Sequence, residues 1–225
     1  MPRDARATRE RLLRAGARLF AAEGVDAART RDIVALAGQG NDSAITYHFG
    51  SRRGLLEAVL RAGVDRMEPA RLATLPRLDP SDLRGIVAAV VEPIAGELRT
   101  EEGRDFLRVV AQVSGRAGIR GHAVPGPIEG TAIARQLALL EECCLGFLPA
   151  ALALERIAVM IAFLAAALAD RTGRVGRADC ADRAGPAGGS LLGHDAFVVD
   201  LIEMLTAALA APHRAAPDGL AQAGA

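Results

Sequence analysis

Almost no stretch of this sequence alternates apolar and polar residues with the Val, Ile, Thr and aromatic content that a half-buried strand requires. Without such stretches the core must be built from helices. Composition agrees. Apolar residues make up 51% of the 225 and aromatics only 3%, so much of the apolar content is alanine, which with leucine and arginine favours helix. The length suffices for one or two domains with a sizeable core. An all-α protein is expected.

Helical periodicity places the elements. In residues 4–23, Leu12, Gly16, Leu19, Phe20 and Glu23 recur at helical steps, and Gly24 stands where a left-handed residue would stop the helix. Thr30 is the expected N-cap of TRDIVALA, with Asp32 near its positive end and Gly38 as its stop. GQGND is a turn. A short third helix, about residues 42–48, is anchored by Ile45 and Phe49, and Gly50 breaks it. Ser51 caps a fourth helix that Glu68-Pro69 should end. Further helices are predicted over 79–100, where Pro93 should kink or split the chain, and over 101–114, 128–148, 151–170 and 195–210. Residues 116–127 read as loop, 171–194 as a mobile glycine-rich connector, and the tail from Ala211 as disordered. There is no internal repeat.

Charge is distributed unevenly. The net charge is zero, yet residues 1–66 hold 12 arginines against 8 acids while the remainder is acidic, and lysine is absent. An anionic partner would meet the N-terminal third. The three cysteines, two of them adjacent (Cys143, Cys144), form neither a disulfide framework nor a metal spacing. The four histidines are scattered, no Glu-x-x-His pair exists, and GPAGGS lacks the lysine of a phosphate-binding loop. No catalytic constellation, metal site or cofactor is expected. IAVMIAFLAAALA (157–169) is short for a membrane span, and no signal peptide is evident, so a soluble cytoplasmic protein is expected.

The polar segment GQGNDSAITYHFGSRR carries the functional signal. Two helices joined by a tight glycine turn, the second short and polar outside, form a helix-turn-helix, whose second helix can enter the DNA major groove. Gln39, Asn41, Asp42 and Ser43 stand at its tip. Asn and Gln can pair bidentately with adenine, and Asp can accept from cytosine; Asn41 and Asp42 can equally cap the turn. Arg52 and Arg53 lie in the first turn of the next helix, where the dipole disfavours cations by about 0.3–1 kcal/mol each. A phosphate over that N-terminus would explain them. Thr46, Tyr47 and His48 add donors nearby.

TRERLLRAGARLFAAEG, TRDIVALAG and ITYHFGSRRGLLEAVL together resemble the N-terminal domain of the TetR family of one-component transcriptional regulators, over about residues 6–62. The turn GQGNDSA is one residue longer than the usual form, and Thr46 and Ala44 stand where the family commonly has tyrosine and threonine. The resemblance implies a homodimer of all-helical subunits. Each would join a helix-turn-helix domain (1–52) to a larger ligand-binding and dimerisation domain (53–211), followed by a tail (212–225). It implies phosphate contacts at Thr30, Thr46, Tyr47, His48 and Arg52, a double-stranded operator as partner, and release of DNA by a small-molecule effector. Helices 151–170 and 195–210 are the expected dimerisation pair, with Ala162, Ala165, Ala166 and Ala169 allowing close approach. Effector-contact candidates are Arg108, Gln112, Glu141, Cys143 and Cys144. The rival reading is a helical binding or adaptor protein without DNA affinity; steep loss of duplex binding with salt would separate the two.

Overall fold

The structure, a computed structural model, describes residues 2–41, 43–114, 126–181 and 192–213. Asp42, the loop expected over 116–127 except its last two residues, and nearly all of the expected tail lie outside them. Among the described residues every regular element is helical. The α-helices are α1 (Pro2–Glu23), α2 (Thr30–Leu36), α3 (Ser43–Phe49), α4 (Arg52–Thr74), α5 (Leu83–Gly96), α6 (Glu101–Ser114), α7 (Ala132–Leu145), α8 (Ala150–Ala181) and α9 (His194–Ala210).

Local signals fix the head of the molecule. Gly24 ends α1 at φ 104° and Gly38 ends α2 at φ 67°, left-handed values that suit glycine. Ser51 caps α4, its Oγ accepting from Gly54 N–H at 3.0 Å. Thr30 is not a cap: it is the first helical residue of α2, and the extended residue before it is Arg29.

Two apolar clusters organise the chain. One joins Leu12, Phe20, Ile33, Ile45, Leu55 and Val59 and takes Val109 from α6. The other lies between α4 and α9, around Met67, Ile86, Phe106, Leu140, Met160 and Leu201. Leu55 and Val59, in the first turns of α4, thus pack with the head. That long helix and α6 both reach from the head into the body.

Three expected boundaries are corrected. Pro69 lies inside α4, which continues to Thr74, and Pro93 lies inside α5, which is not split. Buried neighbours (Met67 and Arg71 in α4, Val90 and Ala95 in α5) hold both helices against the body, so packing outweighs one missing N–H. The connector expected from residue 171 is helix as far as Ala181. There Arg171 and Thr172 are buried, Arg171 donates to the Leu192 carbonyl and stacks over Phe197, and Arg174 pairs with Asp170 at 2.7 Å. The longer helix also removes the length argument against a membrane. Ala150–Arg174 is long and apolar enough to cross one by length and composition. Of its apolar 18-residue stretch 33% is buried within the subunit, Ile157, Met160, Leu164 and Leu168 included.

Candidate functional site

The short helix α3 stands on Ile45, which is 1% exposed, and presents its polar residues outward. Asn41 builds its entry: Oδ1 accepts from the Ser43 N–H (2.9 Å) and hydroxyl (2.8 Å). This is capping chemistry, and it fixes both side chains at the tip. Gln39 donates to the carbonyls of Ala37 (3.4 Å) and Gly38 (3.2 Å). Thr46 is exposed. Tyr47, the only tyrosine, is 80% exposed, and among the described residues its ring meets the edge of His48, 4.8 Å between centroids. An aromatic side chain this exposed adds little to the packing of the head.

The two arginines separate. Arg53 is exposed and reaches Glu57 at 2.9 Å, an i,i+4 pair that solvent weakens. Arg52 turns inward. Its Nε and Nη2 donate to the Ala28 carbonyl (3.2 and 2.9 Å), Nη2 also donates to the Val25 carbonyl, and the guanidinium lies 5.2 Å from the Phe20 ring. A strut between α4 and the loop before α2 is the role this geometry gives Arg52, rather than the phosphate contact expected for it. Thr30, half-buried, follows that loop.

In the body, helices α4 to α8 enclose a cavity of about 190 Å³ with almost wholly apolar walls, among them Val64, Met67, Phe106, Val110 and Ile161. Gly63 lets α4 approach α6 closely: a Cβ there would stand 2.2 Å from the Phe106 ring. The sequence model "Bacterial regulatory proteins, tetR family" matches residues 12–59, which span α2, α3 and the flanking parts of α1 and α4. The chain carries, at residues 12–59, the N-terminal domain of the TetR family of bacterial regulators. Its N-terminal helices are the DNA-binding domain, and the protein regulates transcription. No curated protein matches it. The fold is similar to that of the fatty acid degradation regulator FadR from Bacillus halodurans, at TM-score 0.51 and 14% identity over 88% of this chain and 97% of that one. A structure reported as "Molecular basis for control of antibiotic production by a bacterial hormones" gives TM-score 0.46 and 19% identity over 90% and 95%.

None of the expected effector contacts lines the cavity. Arg108 is bound by Thr172 Oγ1 (3.0 Å) and Asp105 (2.9 Å), tying α6 to α8. Cys144 is fully buried in the body core, where burial pushes its thiol up to about 11, and the half-buried Cys143 sits beside it. Glu141 is half-buried on α7. Gln112 has a different and informative place. It accepts from Val25 N–H (2.7 Å) and donates to the Phe20 carbonyl (3.0 Å), so α6 grips the end of α1. Sequence reasoning missed Arg71, a buried arginine at the cavity. In sequence it is one of five arginines of α4 and nothing sets it apart.

Proposed function

We propose that the protein is a homodimeric cytoplasmic repressor that releases its operator when a small molecule enters the cavity between α4 and α8. The observation that carries this is the double hold on Val25. Its N–H is bound by Gln112 of α6 and its carbonyl by Arg52 of α4. Both helices line the cavity further along, and Val25 sits in the loop that leads into the helix-turn-helix. A ligand that parts α4 from α6 strains this hold and turns the head. At the DNA, Tyr47, Thr46, His48 and Arg53 would take phosphates, while Gln39, Asn41, Asp42 and Ser43 face bases.

The dimer reading is supported by apolar residues left outward on α8 and α9. Val159, Phe163, Val199 and Met204 are between 44% and 59% exposed, and a groove of about 430 Å³ runs between the two helices. Ala162 and Ala166 are exposed on the same side, whereas Ala165 packs into its own subunit. A patch of this kind is a protein-interaction surface.

The test is selection of a duplex from a random pool, followed by a salt titration of binding. A steep fall of affinity with salt is expected, and Tyr47→Phe combined with Arg53→Ala should weaken all duplexes alike. Salt-independent binding, or a double variant indistinguishable from wild type, would sink the phosphate assignment.

A further inference from the structure

The cavity walls are apolar except at one end. There α4 supplies Arg71, 2% exposed; fully buried Gln136 of α7 stands against Arg71 rather than in the wall, and Ser114 of α6 is the other polar lining residue. Arg71 Nη1 donates to the Ala89 carbonyl (3.1 Å) and to Gln136 Oε1 (2.6 Å), and Nη2 donates to the Val90 carbonyl (3.2 Å) and lies 3.9 Å from Met67 Sδ. Every one of these acceptors is neutral. The carboxylate that acts on Arg71 is Glu68, whose oxygens accept the Ala132 N–H at the start of α7 (2.8 and 3.1 Å).

Two donors remain. Arg71 Nε–H and Gln136 Nε2–H have no hydrogen-bond partner among the described residues. Buried donors are normally satisfied and buried charges normally paired, so two free N–H groups beside a buried cation mark a place for an acceptor that carries negative charge. Burial pushes the guanidinium down to about 10, which still leaves it charged at neutral pH. Next to this polar end lies room lined by aliphatic and aromatic carbon. The complement is one anionic group on an apolar body.

We propose that this cavity binds an aliphatic monocarboxylate, its head group accepting from Arg71 Nε–H and Gln136 Nε2–H and its tail lying along Val64, Phe106 and Ile161. The assignment rests on the reading of this cavity as the effector site. A planar carboxylate with two oxygens matches two free donors; a phosphate monoester, with more charge and more acceptors, would leave oxygens facing carbon. The volume of about 190 Å³ lies below the usual range for drug-sized ligands, so chains of medium length are favoured.

The experiment is calorimetric titration of the full-length protein with hexanoate, octanoate and decanoate, set against octanol, octyl phosphate and octylamine. Affinity should rise about fourfold per methylene until the tail fills the cavity. Octanol should bind about 10- to 100-fold more weakly than octanoate. Arg71→Met should remove that difference while keeping octanol binding, and Gln136→Leu should reduce it in part. Octanol binding as tightly as octanoate, octyl phosphate or octylamine binding more tightly, or no binding of any of the acids would overturn the proposal. So would Arg71→Met that keeps the preference for the acid. Should Arg71→Met fail to fold, the acid–alcohol comparison on wild type and Gln136→Leu decide. Repeating the titrations on the complex with the selected duplex separates the two readings. Octanoate that binds without releasing DNA refutes the release reading and leaves the carboxylate site standing. Octanol that releases DNA as well as octanoate does refutes the carboxylate assignment alone.

Discussion

Arg52→Met discriminates between two roles for one side chain. The sequence places Arg52 on a DNA phosphate; the structure turns it onto the Val25 and Ala28 carbonyls. Methionine keeps most of the stem and removes the donors and the charge. Val25 and Ala28 are 6% and 2% exposed, so their carbonyls would lose charged donors in a largely dry place. Loss of hydrogen bonds to a charged group costs about 1.5–3 kcal/mol. The contact with the Phe20 ring adds about 0.5 kcal/mol. Arg52 is half-exposed, and water offsets part of this, so about 2 kcal/mol is expected. For a chain of this length that is about 4–8 °C in Tm. The assay is thermal unfolding without DNA, at matched protein concentration because a dimer's Tm depends on it. The exposed Arg53 gives the control. Arg53→Ala should leave Tm unchanged and reduce the salt slope of duplex binding by about one. An Arg52→Met protein that melts like wild type but loses affinity for every duplex would refute the strut and restore the phosphate contact.

Three further outcomes follow from the packing. Gly63→Ala gains about 1 kcal/mol of helix propensity but forces the buried Phe106 ring aside; a net loss of about 1–2 kcal/mol is expected in urea unfolding. Cys144, its thiol pushed up to about 11 by burial, then by Cys143, should resist iodoacetamide at pH 8 and react only as pH approaches that value or the chain unfolds; peptide mass mapping reads this. Val159→Glu with Phe163→Glu should turn a dimer into a species of about one chain's mass in sedimentation, and a wild type already sedimenting at 23.4 kDa would remove the dimer reading.

What the sequence made legible was local. Gly24 and Gly38 end their helices because a left-handed backbone is needed there, and Ser51 caps α4 because its hydroxyl reaches an amide three residues on. Ile45 under α3 follows from helical spacing. The residues whose place the sequence leaves open depend on partners far along the chain. Arg52 finds carbonyls 24 and 27 residues away, and Gln112 finds Val25 across 87. Arg71 meets Gln136 across 65. A cation at a helix start reads the same in sequence whether it meets phosphate or a neighbouring loop, and only tertiary contacts separate the two. Pro69 lies inside a continuing helix for the same reason, since the energy that carries α4 onward comes from other helices.

The hold on Val25 also bears on how little is needed to operate the protein. Coupling between two sites is commonly 1–3 kcal/mol. A hydrogen bond to a charged group is about 1.5–3 kcal/mol, and a neutral one about 1 kcal/mol. Breaking the Arg52–Val25 contact, or the Gln112–Val25 contact together with Gln112–Phe20, therefore falls within the range of the whole coupling free energy. On the proposed release, a shift of α4 against α6 large enough to lengthen these bonds would suffice without rearranging the body core. The coupling must then be reciprocal. Operator duplex should weaken effector binding by the same factor by which the effector weakens operator binding. Gln112→Ala, which breaks the α6 arm of the hold in advance, should shrink both factors together. Should it alter one and leave the other, the route through Val25 is wrong.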